Sequence, residues 1–403
     1  MLTNRQLFLL HLGQTSATPM MLEIVRAKGV FMYGTDGKEY MDLISGVSVS
    51  NTGHGHPRVI EAIKKQIDAY LHLMVYGEMI QGPQVKYAER LAGILPPELS
   101  SCYFVNSGSE AVEGALKLAK RFTGKSRIIS FKNSYHGSTH GALSIQGSEL
   151  YRNSFRPLLP DTLQIGFNDE KSLDEINSRT ACVIIEPVQG EAGIIWPKNA
   201  FLEKIRNRCN ATGTLLIFDE IQTGFGRIGQ MFAIDRFGVV PDILLLAKAL
   251  GGGMPLGAFI SSKEIMSSLI TNPTLGHITT FGGHPVCCAA GLASLDVIIE
   301  EKLAEKCNHK SVIFKRELKH PLITDVRGEG LLLAVQLSDP QFIHYVIAHA
   351  PDYGLILDYF LFCDNAFRIA PPLTISEDEI SWACIQMRKL LDDAMNNTLH
   401  SPR

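Results

Sequence analysis

The chain reads as an α/β protein. It predicts a large domain with a mainly parallel sheet flanked by helices, and a smaller α/β lobe drawn from both termini. Three observations carry this. The runs RIISF, ACVIIEP, TLLIFDE, DILLLAK and LGAFISS are β-rich and almost uninterruptedly apolar, as strands covered on both faces are. Helical stretches such as residues 198–210 fall between some of them, the rhythm of βαβ units. Polar residues cluster just after these runs, where open parallel sheets gather their ligand groups.

Taken in order, residues 22–50 read as short strands joined by the turn Thr35-Asp36-Gly37, and GHGHP leads into a helix over about 57–72. A second helix follows Pro83. SCYFV is a buried strand, and SEAVEGALKLAKRF is a helix with Ser107 or Ser109 near its start. Beyond the alternating strands and helices, a long helical region runs from Pro285 to about 319. LLLAVQL, a helix near 340–349, FRIAP and a closing helix near 377–394 complete the chain. The expected divisions are 1–54 for the N-terminal part of the small lobe, 55–305 for the large domain and 306–403 for the C-terminal small domain.

With 403 residues, 45% hydrophobic and 20% charged, the chain has the composition of a globular protein large enough for two or three domains. A net charge of -3 gives no electrostatic footprint for nucleic acid or a membrane surface. No apolar run approaches the roughly 20 residues that span a bilayer. The N-terminal stretch lacks the apolar core of a signal peptide, and the eight cysteines include no CxxC pair. Reduced thiols and a cytoplasmic location are expected.

The residues that could do chemistry stand at strand ends. Lys248 follows a fully apolar strand and precedes Gly251-Gly252-Gly253. A desolvated lysine loses its ammonium form and becomes a nucleophile suited to a Schiff base with a carbonyl. Ser107, Gly108 and Ser109 open a helix whose free N–H groups suit a phosphate, although a plain N-cap explains them equally. Asp219 ends the most apolar strand and needs a cationic partner, either a protonated ring nitrogen or Arg227. Tyr135 could stack on a planar ligand or simply fill core. Glu186 and Glu191 share one strand end, with Arg368 of FRIAP as their natural partner and the best side chain to grip a carboxylate. His54, His56 and His136 have no ligand spacing, so no metal site is expected. A phosphate cradle, a stacking aromatic, a buried aspartate, a desolvated lysine and a carboxylate-binding arginine together match what pyridoxal 5'-phosphate requires.

From DGKEYMDLISGVSVSNTGHGHP through VNSGSEAVEGALKLAKR, SYHGST, EPVQGEAG, IFDEIQTGFGRIG, AKALGGGMPLGA and TTFGGHP to RIAPPLTI, the chain resembles the class III (ω-) aminotransferases of pyridoxal-phosphate fold type I. The resemblance implies that Lys248 carries the cofactor and shuttles a proton, and that Asp219 pairs with its ring nitrogen. It implies that Gly108 and Ser109 bind the phosphate, Tyr135 stacks on the ring, Gln222 bonds its phenolic oxygen and Ile221 lies behind it. Thr280 would reach the phosphate of a neighbouring subunit, making the protein a homodimer with shared sites. Arg368 would bind the carboxylate of a 2-oxo acid, and Glu191 would hold that arginine when an ω-amine is in the site. Three positions depart from the pattern. Ser138 stands where an arginine often grips a second carboxylate, Val47 where ornithine-specific relatives carry tyrosine, and His284 where GGNP has asparagine. The implied activity moves an ω-amino group from a donor of the acetylornithine, ornithine, 4-aminobutyrate or diamine type to a 2-oxo acid such as 2-oxoglutarate or pyruvate. An aminomutase or decarboxylating relative on the same fold is the alternative, and a non-enzymatic cofactor binder is disfavoured because Lys248, Asp219 and Arg368 are all present.

Overall fold

A computed structural model describes residues 2–75 and 77–399. After a helix at Asn4–His11 come three short strands, β1 (Ile24–Lys28), β2 (Phe31–Gly34) and β3 (Glu39–Asp42), paired antiparallel. The turn at Thr35-Asp36-Gly37 is closed by the Gly34 N–H donating to the Lys38 carbonyl at 2.9 Å. Strand character ends at Asp42. Residues 45–48, expected to be part of a strand, form a left-handed turn instead. Their φ angles are 45° at Ser45, 60° at Gly46, 62° at Val47 and 64° at Ser48.

The main sheet contains β4 (Ser101–Val105), β5 (Arg127–Phe131), β6 (Thr162–Ile165), β7 (Thr180–Ile185), β8 (Leu215–Asp219), β9 (Ile243–Leu246) and β10 (Gly257–Ser261), in the order β4-β10-β9-β8-β7-β5-β6. Strands β9, β8, β7, β5 and β6 run parallel, and β10 is antiparallel to both its neighbours. The apolar strands are buried on both faces for a visible reason. Val183, Ile185, Leu216, Phe218, Leu244 and Leu246 pack in one core with Phe201 and Ile205 of the helix Phe201–Thr212. Their alternates Cys182, Ile184, Leu215, Ile217, Ile243 and Leu245 pack in another with Ala111, Val112, Ala115 and Leu118 of the helix Gly108–Thr123. Each fully buried Leu or Ile stabilises the fold by about 1.5–3 kcal/mol.

The long helical region divides in two, Pro285–Glu300 and Leu303–Glu317, where Lys302 takes φ +53° and breaks the first helix. Pro285–Glu300 packs on the helices Pro57–Ala69 and Gly82–Ala92. The rest of the chain supplies β11 (Ile323–Glu329), β12 (Leu332–Leu337), β13 (Leu355–Ile356), β14 (Asp358–Phe360) and β15 (Cys363–Ile369), then the helix Glu377–Leu399. An antiparallel sheet has the order β11-β12-β15-β14, while β13 joins β3 in parallel and so ties the C-terminal region to the N-terminal one. No helix among the described residues is long and apolar enough to cross a membrane.

Candidate active site

A cavity of about 500 Å³ opens at the carboxyl ends of the parallel strands. Its walls are the turns that follow them: Asn106–Ser109 after β4, Tyr135–Gly137 after β5, Glu186–Glu191 after β7, Asp219–Thr223 after β8 and Ala247-Lys248 after β9. Each polar group is there because an apolar strand has delivered it to the edge of the sheet.

Ser107 caps the helix Gly108–Thr123 by accepting the Glu110 N–H at 3.2 Å. The N–H groups of Gly108 and Ser109 are left at the positive end of the helix, which favours an anion. Gly108 is required by space, since a Cβ there would come within 2.9 Å of Ile221 Cδ1. Gly137, at φ +127°, lets the Ser138 N–H donate to Ser109 Oγ at 3.3 Å. Its backbone conformation is one that side chains disfavour, and a Cβ would collide with that same hydroxyl.

Asp219 is buried, and its carboxylate bonds His136 Nδ1 at 2.7 Å and accepts the Ile221 N–H at 3.1 Å. Arg227 is not its partner. That guanidinium is fully buried elsewhere, donating to the carbonyls of Leu331 and Pro371 at 2.9 and 2.6 Å, to Ser45 Oγ at 3.1 Å and to Asn51. Among the described residues it ties the left-handed turn to the C-terminal segment and pairs with no carboxylate. His136, adjacent to Tyr135 and without metal-ligand spacing in the sequence, is the residue that sequence reasoning missed. Its place at a strand end beside another candidate was the available signal.

Glu186 accepts the N–H groups of Tyr135 at 2.8 Å and Gly190 at 2.9 Å, bracing two of the turns against each other. Burial raises its carboxyl pKa to about 7, against the opposing effect of His136. Glu191 pairs with Arg368 at 2.6 Å, both buried, and also accepts the Leu361 N–H at 3.1 Å. Arg368 Nε and Nη1 are buried without a hydrogen-bond partner, while its guanidinium lies 4.8 Å from the centre of the Phe360 ring. An arginine with two unused buried donors is poised for a planar oxyanion.

Lys248 projects into this cavity from a 3-10 turn, Lys248–Gly251, that is anchored by Tyr87 donating its hydroxyl to the Leu250 carbonyl at 2.6 Å. The lysine backbone has φ +52°, a strained conformation of the kind that clusters at functional sites. Burial lowers the pKa of its ammonium, and Arg368 pushes the same way, against Glu191, Asp219 and Glu186.

The structure therefore brings Gly108, Ser109, Tyr135, Glu191, Asp219, Ile221, Gln222 and Lys248 together on one cavity. Two expected residues reach it indirectly. Arg368 donates to the lining Glu191, and the exposed Ser138 lies 3.2 Å from the Tyr135 hydroxyl. Thr280 is exposed and outside this cavity. Val47, expected in the substrate wall, does not line it. Val49, which follows the left-handed turn, does. The departure at His284 also has a physical account: its Nδ1 accepts the Val286 N–H at 3.3 Å and caps the helix Pro285–Glu300, the service an asparagine gives. Its ring stacks on His72 at 5.6 Å. Among the described residues no cluster of three or more metal-binding side chains occurs.

The cavity suits pyridoxal 5'-phosphate. Free N–H groups at a helix N-terminus match the phosphate. The buried Gln222 Nε2 has no partner and can donate to a phenolic oxygen, and a paired aspartate matches a protonated ring nitrogen. The fold and this site define a pyridoxal-phosphate enzyme. Residues 12–391 match the family Aminotransferase class-III. The chain is 38% identical over 386 residues to an acetylornithine aminotransferase of Methanopyrus kandleri, covering 94% of this chain and 96% of that one. It is 36% identical over 401 residues to an ornithine aminotransferase of Macrococcus caseolyticus, with 94% and 96% covered. A solved ornithine aminotransferase from Toxoplasma gondii, with pyridoxal phosphate partly occupying its active site, superposes with a TM-score of 0.89 at 30% identity, covering 97% and 93%. The chain belongs to the class III aminotransferase family, and it is a pyridoxal-phosphate-dependent aminotransferase.

Proposed function

We propose that the enzyme takes the terminal amino group of an ω-amine donor and passes it to a 2-oxo acid such as 2-oxoglutarate or pyruvate. The observation that carries this is the Glu191–Arg368 pair at 2.6 Å. With Glu191 on the guanidinium, the site has no free arginine beside the reacting amine, which suits a donor whose amine-bearing carbon has no carboxylate. With Glu191 withdrawn, Arg368 offers a bidentate grip to the carboxylate of a 2-oxo acid.

When bound, the cofactor supplies a carbonyl that links to the substrate nitrogen and a ring that takes up the electron pair left by a departing proton. Gly108 and Ser109 would hold its phosphate, Tyr135 and Ile221 its ring, Gln222 its phenolic oxygen and Asp219 its ring nitrogen. Lys248 Nζ, shifted toward the neutral amine by burial, would remove the proton from the amine-bearing carbon and give it back two atoms along, a 1,3 shift across the nitrogen. Glu186 braces the Tyr135 turn, so the aromatic face stays in place.

Within the ω-amines, two observations point to different donors. Among the described residues Lys248 is the only lysine or arginine lining the cavity, which favours a diamine over a donor with a distant carboxylate. The acetylornithine aminotransferase names of relatives favour the latter. Loaded enzyme titrated with putrescine, 4-aminobutyrate, ornithine and acetylornithine separates them by which donor bleaches the cofactor's visible absorbance. A 2-oxo acid should restore the band. Bleaching that no 2-oxo acid reverses overturns the proposal, as does normal turnover by Lys248→Ala protein.

The proposal extends to a homodimer in the cytoplasm, with a large domain over 55–305 and a small one from 1–54 and 306–403. Thr280 is exposed beside Ile278 and Phe281, each at least half exposed, an apolar pair suited to lie against a second copy and reach its phosphate.

A further inference from the structure

A second cavity, of about 650 Å³, shares no wall with the first. Lys117, Lys120 and Arg121 face it from the helix Gly108–Thr123, while Asn272 and His277 close it from the segment that follows the helix Lys263–Ser267. Among the described residues no aspartate or glutamate lines it, and none of the three cations makes an ion pair. Arg121 Nη2 is buried with no hydrogen-bond partner.

Like charges three and four residues apart on a helix destabilise it, and the chain as a whole is negative, with a net charge of -3. Cations in the last turn complement the helix dipole, which accounts for Lys120 and Arg121. It does not account for Lys117, more than a turn earlier, nor for His277, brought from a distant segment to within 3.0 Å of the Lys117 amine. Burial lowers the His277 pKa and Lys117 lowers it further, against the opposing effect of Glu110.

We propose that this cleft binds a small polyanion bearing phosphate-type oxyanions, with Lys117, Arg121 and His277 as its donors. Such a ligand offers the Arg121 guanidinium a planar oxyanion partner and relieves the crowding of the cations. The site adjoins the machinery of the first cavity. Tyr103 of β4 donates its hydroxyl to the His277 carbonyl at 2.9 Å, and Asn106, in the wall of the first cavity, bonds Thr279 at 3.2 Å.

The test is calorimetric titration of cofactor-loaded enzyme with pyrophosphate and with inorganic phosphate at low ionic strength. One saturable site per chain is expected, tighter for pyrophosphate, with Lys117→Ala and Arg121→Ala each weakening it about tenfold. The NMR titration of His277 should move to higher pH when pyrophosphate binds. In ligand-free Lys117→Ala protein it should move the same way, with a parent-like urea midpoint showing that the variant is folded. Loading with the cofactor keeps the phosphate cradle at Ser109 filled, so heat seen only with cofactor-free protein overturns the proposal. Saturable binding that survives both substitutions overturns it as well, as does an absence of binding.

Discussion

Arg368 and Glu191 meet at 2.6 Å, yet only one of the three guanidinium nitrogens is satisfied by that contact; Nε and Nη1 remain buried and unpartnered. The pair is thus a closed state with spare capacity, and its two halves should fail differently. Arg368→Lys keeps a charge but loses the planar fork, so kcat/KM for the 2-oxo acid should fall by about 10- to 100-fold while the donor half-reaction changes much less. Glu191→Ala leaves a buried guanidinium uncompensated and should cost about 3–5 kcal/mol of stability. Separate single-turnover measurements of the two half-reactions, with urea unfolding of each variant, check both. Equal losses in both half-reactions for Arg368→Lys would contradict the assignment.

Asp219 and His136 make the second buried pair, at 2.7 Å. Removing the carboxylate charge with Asp219→Asn should lower kcat/KM for both half-reactions roughly 10²- to 10³-fold. His136→Ala should cost about tenfold, because it disturbs the aspartate without replacing it. If the histidine acts only through the carboxylate, the double variant is no worse than Asp219→Asn alone. Additive losses in that cycle would mean His136 has a role of its own.

How much of this was legible in the sequence follows from the physics of each signal. Strands such as ACVII and DILLL announced themselves because both faces are buried, and the residues after them were readable as site candidates because parallel strands end at the site. The edge strand β6, TLQI, escaped because only its last residue is fully buried and its pattern is weak. The antiparallel sense of β10 escaped because alternation carries no direction. His136 was undervalued because its partner Asp219 lies 83 residues away, and pairing at that separation leaves no local pattern. The turn around Val47 was read as strand because a run of left-handed residues cannot be read from Ser-Gly-Val-Ser.

Glu220 makes the pH dependence of stability testable at a buried side chain that does not itself line the cavity. Its carboxylate caps a helix by accepting the Ala233 and Ile234 N–H groups at 2.5 and 3.1 Å, and it takes the Thr223 hydroxyl at 3.1 Å, yet burial outweighs these bonds and raises its pKa from 4.5 to about 7. A group whose pKa is raised on folding holds a proton that the unfolded chain has already released. Its stabilising contribution is complete below about 4.5 and is lost as pH climbs to about 7. The full difference is on the order of 3 kcal/mol. Urea midpoints measured between pH 5 and 8 should therefore fall less steeply for Glu220→Gln than for the parent. Glu186, also raised to about 7, should leave a residual slope. Parallel pH profiles for the two proteins would rule out this protonation.

Val47 concentrates strain that the rest of its turn enforces. Asp42 accepts the N–H groups of Ile44 and Ser45 at 3.0 and 2.7 Å, and Ser45 donates its hydroxyl to the Ala370 carbonyl at 2.7 Å. The chain is therefore committed to the left-handed region before it reaches Val47, whose φ of 62° is unfavourable for a β-branched residue. Holding such a residue there costs about 1–2 kcal/mol, whereas glycine adds about 0.5–1 kcal/mol of unfolded-state entropy. Val47→Gly should thus be neutral or stabilising by up to about 1 kcal/mol, a rise of about 1 °C in Tm for a chain of this size. Because Val49 and not Val47 lines the cavity, Val47→Gly should leave kcat/KM within about threefold of the parent while Val49→Gly lowers it further. A loss of stability well beyond about 1 kcal/mol in Val47→Gly would show that the side chain contributes more through packing than its backbone loses to strain.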